Sequence, residues 1–93
     1  MKKGVHIYFA GLVQGVGFRY TARSLAVKHD IKGWIMNLPD GRVELFAQAG
    51  KERLDDFLKD LRSEFSSYIK NMDVSEDTVC SVLKDFQIRF RPE

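Results

Sequence analysis

Gly11-Leu12-Val13-Gln14-Gly15-Val16-Gly17-Phe18-Arg19 is the stretch that organises this chain. An apolar strand candidate, Val5 to Ala10, runs into it, and a helix candidate begins as it ends. Glycines at 11, 15 and 17 allow positive φ and leave room beside the backbone. A tight turn entering a helix leaves several backbone N–H groups without intrahelical partners. Those groups, the helix dipole and Arg19 converge on one point suited to an anion, above all a phosphoryl group. Taken alone, the pattern also suits an ordinary glycine-rich connection with a surface arginine.

Working outward, Val5, Ile7 and Phe9 alternate with His6, Tyr8 and Ala10, the period-2 pattern of a half-buried strand. Phe18, Ala22, Leu25, Ala26 and His29 recur at helical spacing, which predicts a helix from Phe18 to His29. Asp30 to Gly33 breaks it, with Gly33 as a bend into the next strand. Trp34 to Leu38 reads as a short strand, and Pro39-Asp40-Gly41-Arg42 as the turn of a hairpin. Val43, Leu45 and Ala47 alternate along the returning strand, which Gly50 closes. From Lys51 to Phe65, Leu54, Phe57, Leu58, Leu61 and Phe65 form the apolar stripe of the clearest helix. Ile69, Met72 and Val74 suggest another strand, whose spacing requires an irregularity such as a bulge. Thr78 to Leu83 reads equally as strand or turn, and Phe86 to Phe90 alternates as a last edge strand.

Two striped helices need one sheet face to bury against. The order therefore predicts an α+β, ferredoxin-like βαββαβ sandwich with right-handed crossovers. Its sheet is expected to be antiparallel, with both helices on one face and a short extra C-terminal strand. The other face is left open, bearing His6, Tyr8, Glu44, Phe46 and Gln48.

At 93 residues this is one domain, spanning 1–93. A formal charge of +2 is too small to imply nucleic acid or an acidic membrane, and no run approaches the ~20 apolar residues of a membrane span. Cys80, the single cysteine, excludes an internal disulfide and reads as a small packing residue. The Lys2-Lys3 start lacks the apolar run of a signal peptide, so a cytoplasmic protein is expected.

The loop lacks the Gly-Lys-Ser/Thr of a Walker sequence and the third glycine of a dinucleotide fingerprint, since residue 20 is Tyr20. It also carries no carboxylate, cysteine or serine to accept a phosphoryl group. His6 and His29 have no second ligand at metal-binding spacing, so neither a metal nor a cofactor is expected. An anion pocket without nucleophile, general acid or metal hydrolyses only a phosphate whose leaving group departs unaided, as a carboxylate does. What remains is to hold the phosphoryl oxygens and aim a water. The planar fork of Arg19 suits the first task. An amide that donates and accepts without titrating suits the second, and Asn37 ends a clearly read strand.

Val13-Gln14-Gly15-Val16-Gly17-Phe18-Arg19, together with Gly33-Trp34-Ile35-Met36-Asn37-Leu38-Pro39-Asp40-Gly41-Arg42-Val43-Glu44, closely resembles the two signature blocks of the acylphosphatase family. The resemblance implies cofactor-free hydrolysis of the carboxyl–phosphate bond of acyl phosphates on a ferredoxin-like fold. Arg19 matches the family's phosphate-binding arginine and Asn37 the asparagine that positions the attacking water. Gln14, Gly15, Val16, Gly17, Phe18 and Arg19 match its phosphate cradle. Expected partners are a small acyl phosphate substrate and inorganic phosphate or another anion in the loop, with no nucleic acid and no membrane, the chain acting as a monomer. Leu12 stands where an arginine usually follows the glycine, and Met36 where a basic residue often precedes the asparagine. Both remove positive charge near the site and are expected to weaken substrate steering or shift substrate preference.

Two rivals share this topology. An RNA-recognition module needs exposed aromatics on the third strand, where only Phe46 qualifies beside an unhelpful Glu44. A catalytically idle phosphate-binding module would use the same loop, and turnover separates it from an enzyme. The acylphosphatase-like domain of a larger maturation enzyme is disfavoured by the lack of zinc-finger cysteines.

Overall fold

A computed structural model describes residues 2–90. The elements run β1 (Lys2–Gly11), α1 (Phe18–Lys28), β2 (Lys32–Asn37), β3 (Val43–Gly50), α2 (Lys51–Glu64), β4 (Ile69–Asp77) and β5 (Phe86–Ile88). They form one sheet of order β4-β1-β3-β2-β5. The first six elements build the expected βαββαβ sandwich. The fifth strand departs from the expected antiparallel sheet, because β5 lies parallel to β2, with Gly33 opposite Phe86 and Ile35 opposite Ile88. A chain returning from β4 past the sheet's opposite face reaches the free edge of β2 running in β2's own direction.

Alternation sets the core. Val5, Ile7 and Phe9 of β1 and Val43, Leu45 and Ala47 of β3 are buried on the helix-facing side. Opposite them lie Leu54, Phe57 and Leu61 of α2, each almost fully enclosed. Burying side chains of this size contributes about 1.5–3 kcal/mol apiece, so Phe57→Ala would cost about 3–5 kcal/mol. α1 buries Phe18 and the small Ala22 and Ala26, which bring its axis close to the sheet.

α1 stops one residue before the predicted end. His29 is its C-cap and Asp30 takes a left-handed φ of 56°. The Ile31 N–H donates back to the Ala26 carbonyl at 2.8 Å, a Schellman closure with an aspartate in the glycine position. Gly33 lies inside β2 and is not a bend. A Cβ there would sit 1.9 Å from the Phe46 carbonyl oxygen, so the missing side chain permits close strand approach.

The bulge implied by Ile69, Met72 and Val74 is present. Ala10 opposes Asn71 while Gly11 opposes Ile69, leaving Lys70 as the extra residue. Met72 and Val74 thereby stay on the same face as Phe9 and Ile7.

The sheet face away from the helices is less open than expected. Residues 78–83, which are turn and not strand, fold across one end of it. The Gln48 amide donates to the Cys80 carbonyl at 2.8 Å and accepts from the Cys80 N–H at 2.7 Å, leaving Gln48 and Phe46 buried. His6 places Nε2 2.6 Å from Glu44 and Nδ1 3.3 Å from Asp77. The Glu44 charge pushes the Tyr8 phenol up from its ordinary value. His6 therefore ties strands together, and His29 ties helices together through Asp60 at 2.7 Å.

Candidate active site

The chain leaves β1 at Gly11 and is secured at three points before α1 begins. The Leu12 N–H donates to the Tyr68 carbonyl at 2.8 Å. The Val13 side chain is buried in the core. The Gln14 side-chain amide then donates to the carbonyls of Leu38 and Arg42, at 2.8 and 2.9 Å, across the β2–β3 hairpin. With both hydrogens committed there, the Gln14 side chain is a tether, and only its backbone remains for the anion-binding role expected of it.

Gly15 and Gly17 both take φ 77°. A Cβ at either would meet nothing within 4 Å, so the requirement for glycine is conformational and the space over the loop is clear. Gly17 is the N-cap of α1 and supplies no side-chain acceptor. The first-turn amides are thus left to another acceptor. Phe18 locks the helix start from below, its ring meeting Phe9 at 5.0 Å and Phe65 at 4.7 Å in edge-on contacts. Only its backbone faces the loop.

Arg19 is half-exposed and, among the described residues, forms no ion pair. Its guanidinium carbon lies 5.4 Å from the Phe90 ring centre and 6.0 Å from that of Tyr20. Such flanking restricts the fork while leaving its charge uncompensated. Asn37 closes β2 opposite Val43, on the same side of the sheet as buried Ile35. Its Oδ1 is buried and has no hydrogen-bond partner. Native proteins rarely leave such an acceptor empty, so it marks a place where a water or ligand hydrogen belongs.

Val13, Gly15, Gly17, Phe18, Arg19, Tyr20 and Asn37 line one cavity of about 150 Å³. Arg19, Asn37, the two glycines and the helix start, named separately from sequence, are therefore brought together. Val16 lies in the loop beside the cavity without lining it. Tyr20 was missed by sequence reading. Its place one residue after the arginine, on an exposed helix face, was the available signal. Met36 points to the opposite sheet face, across from Glu44. Its lack of charge is therefore felt on the far side of the strand from Asn37, contrary to the expected loss beside the site.

The arrangement offers uncommitted amide donors, one bidentate cation and one buried acceptor around a volume suited to a phosphoryl group. Comparison with known proteins points to one family. A family model described as Acylphosphatase matches residues 5–88. The acylphosphatase of Chlorobaculum tepidum is 40% identical over 88 residues, covering 94% of this chain and 96% of that protein. Among solved structures, acylphosphatase from Bacillus subtilis superposes with a TM-score of 0.85 at 33% identity, over 96% of this chain and 99% of that one. An acylphosphatase from Coxiella burnetii gives a TM-score of 0.82 at 28% identity, over 95% and 93% of the two chains.

Proposed function

The chain belongs to the acylphosphatase family, hydrolases of the carboxyl–phosphate bond of acyl phosphates, and from that premise we propose how its own residues carry the reaction. The phosphoryl group lies in the loop, its oxygens accepting from the backbone amides of residues 15–19 and from the Arg19 fork. Donors held by the fold ahead of substrate would need little reorganisation to meet the developing charge. Asn37 Oδ1 accepts a hydrogen from a water and turns that water's lone pair towards phosphorus.

Attack forms the new P–O bond as the bond to the acyl oxygen breaks, and the electron pair leaves on the carboxylate. Both hydrogens of the water end on inorganic phosphate. A carboxylate of ordinary pKa about 4 needs no proton to depart, so neither a general acid nor a metal ion is required. The reading is of a monomer working in the cytoplasm, where the free thiol of Cys80 suits a reducing compartment.

The observation that carries the reading is that Asn37, whose buried Oδ1 has no protein partner, lines the same small cavity as Arg19. The test is incubation with an aryl acyl phosphate in the presence of a chelator, following loss of acyl-phosphate absorbance. Turnover above the spontaneous rate that Arg19→Lys abolishes is expected. Spontaneous decay alone would leave an idle anion-binding loop.

A further inference from the structure

The helix-free face of the sheet carries a second cavity, of about 280 Å³, which shares no residue with the loop cavity. Strand register builds its floor. His6 of β1 stands opposite Phe46 of β3, and Phe46 opposite Trp34 of β2, so three rings cross three neighbouring strands in one row. Trp34 and Phe46 lie 27° from parallel with ring centres 6.4 Å apart, and His6 meets Trp34 edge-on at 5.7 Å. The turn through Asp77, Cys80 and Val82 supplies the wall, held over the sheet by the two hydrogen bonds between Gln48 and the Cys80 backbone. Arg89 completes the rim, its guanidinium carbon 5.2 Å from the Trp34 ring centre. It is exposed and, among the described residues, makes no ion pair. Asp77 is already engaged: one oxygen accepts from the Thr78 N–H at 2.7 Å and the other lies 3.3 Å from His6 Nδ1.

We infer that this cavity is a binding site for a small aromatic carboxylate, separate from the phosphoryl-holding loop. A floor of rings favours a flat ligand over a puckered one, because faces and edges of aromatic groups pack by their quadrupoles as well as by area. Arg89 favours a negative ligand over a neutral one, since its planar fork matches a carboxylate and no internal acid competes for it. The same cation disfavours a positively charged guest. The volume lies at the small end of ligand pockets, which suits a single ring with a short substituent. A ring laid against Trp34 and Phe46 brings such a substituent towards Arg89 at the rim.

Trp34 and Cys80 are the single tryptophan and the single cysteine of the chain, so indole fluorescence and the rate of Cys80 alkylation by iodoacetamide both report on this cavity without turnover. Benzoate, cyclohexanecarboxylate and benzamide are titrated into the full chain, with and without saturating inorganic phosphate to fill the loop. Benzoate is expected to change the Trp34 emission with a Kd on the order of 0.1–1 mM, and to slow the alkylation of Cys80. Cyclohexanecarboxylate keeps the charge without the flat ring, and benzamide keeps the ring without the charge; each should bind about fivefold more weakly. Arg89→Gln should raise the benzoate Kd about fivefold, and Arg89→Lys by less. Absence of binding, or equal affinity for the three probes, would overturn the assignment. Loss of benzoate binding on adding phosphate would do so too, by placing benzoate in the loop. Displacement of benzoate by short single-stranded RNA would also overturn it, giving this face to nucleic acid.

Discussion

The Gln14 side-chain amide donates to the Leu38 carbonyl at 2.8 Å, joining the glycine loop to the residue that follows Asn37. A second donation, to Arg42 at 2.9 Å, spans the hairpin. The phosphoryl-holding loop and the water-aiming strand thus share a mechanical link. Gln14→Leu is expected to lower kcat at least tenfold and to cost about 1–2 kcal/mol of stability, the worth of two ordinary hydrogen bonds. Initial rates and urea denaturation of the same samples measure both. Loss of stability with normal turnover would show that the tether does not set the site.

Asn37→Ala should separate function from stability. The Asn37 Oδ1 accepts from no protein donor among the described residues, so unfolding free energy is expected to change by less than about 1 kcal/mol. Turnover should fall at least a hundredfold, while inhibition by inorganic phosphate changes little. Equal losses in both would make Asn37 a phosphate-binding residue.

The loop glycines should respond differently from Gly11. Alanine at Gly15 or Gly17 meets open space and a φ of 77°, costing about 1–2 kcal/mol through backbone conformation. The folded variants are expected to bind phosphate weakly. Gly11→Ala would drive its Cβ to 2.3 Å from the Tyr68 carbonyl oxygen and 2.7 Å from the Lys70 nitrogen. Both are backbone atoms that cannot swing away, so thermal melts should show a far larger loss there, or no folded protein.

Acid should loosen the fold through carboxylates held low in the folded state, among them two that accept from histidines. The hydrogen bond from His29, with Lys28 nearby, holds Asp60 below its ordinary pKa. The Thr78 backbone N–H, followed by His6, does the same for Asp77. A carboxyl depressed in the folded state adds stability that is fully present above its unfolded value, about 3.9, and is lost as pH falls through the lower folded value. Stability from urea melts is therefore expected to decline below about pH 4. In Asp60→Asn and Asp77→Asn that decline should be shallower, and an unchanged slope would discount both links.

Much of this molecule is legible in its sequence because the governing constraints are local. Alternation at Val5, Ile7 and Phe9 gives a strand with one buried face, and the stripe from Leu54 to Phe65 gives a helix. Positive φ at Gly15 and Gly17 follows from having no Cβ, and the three-residue step from Ile69 to Met72 encodes a bulge. Arg19 and Asn37 stand out because few residue types can grip a phosphoryl group or aim a water without titrating.

Contacts between distant residues belonged to the tertiary structure. The parallel seating of β5, the closure of residues 78–83 over Gln48, the tethering of Gln14 and the empty acceptor of Asn37 each depend on which donor meets which acceptor across the fold. Periodicity along a chain reports which side of an element is apolar. It carries no information on the partner that a polar atom finds, since that partner is set by strand register and loop path after the core has formed.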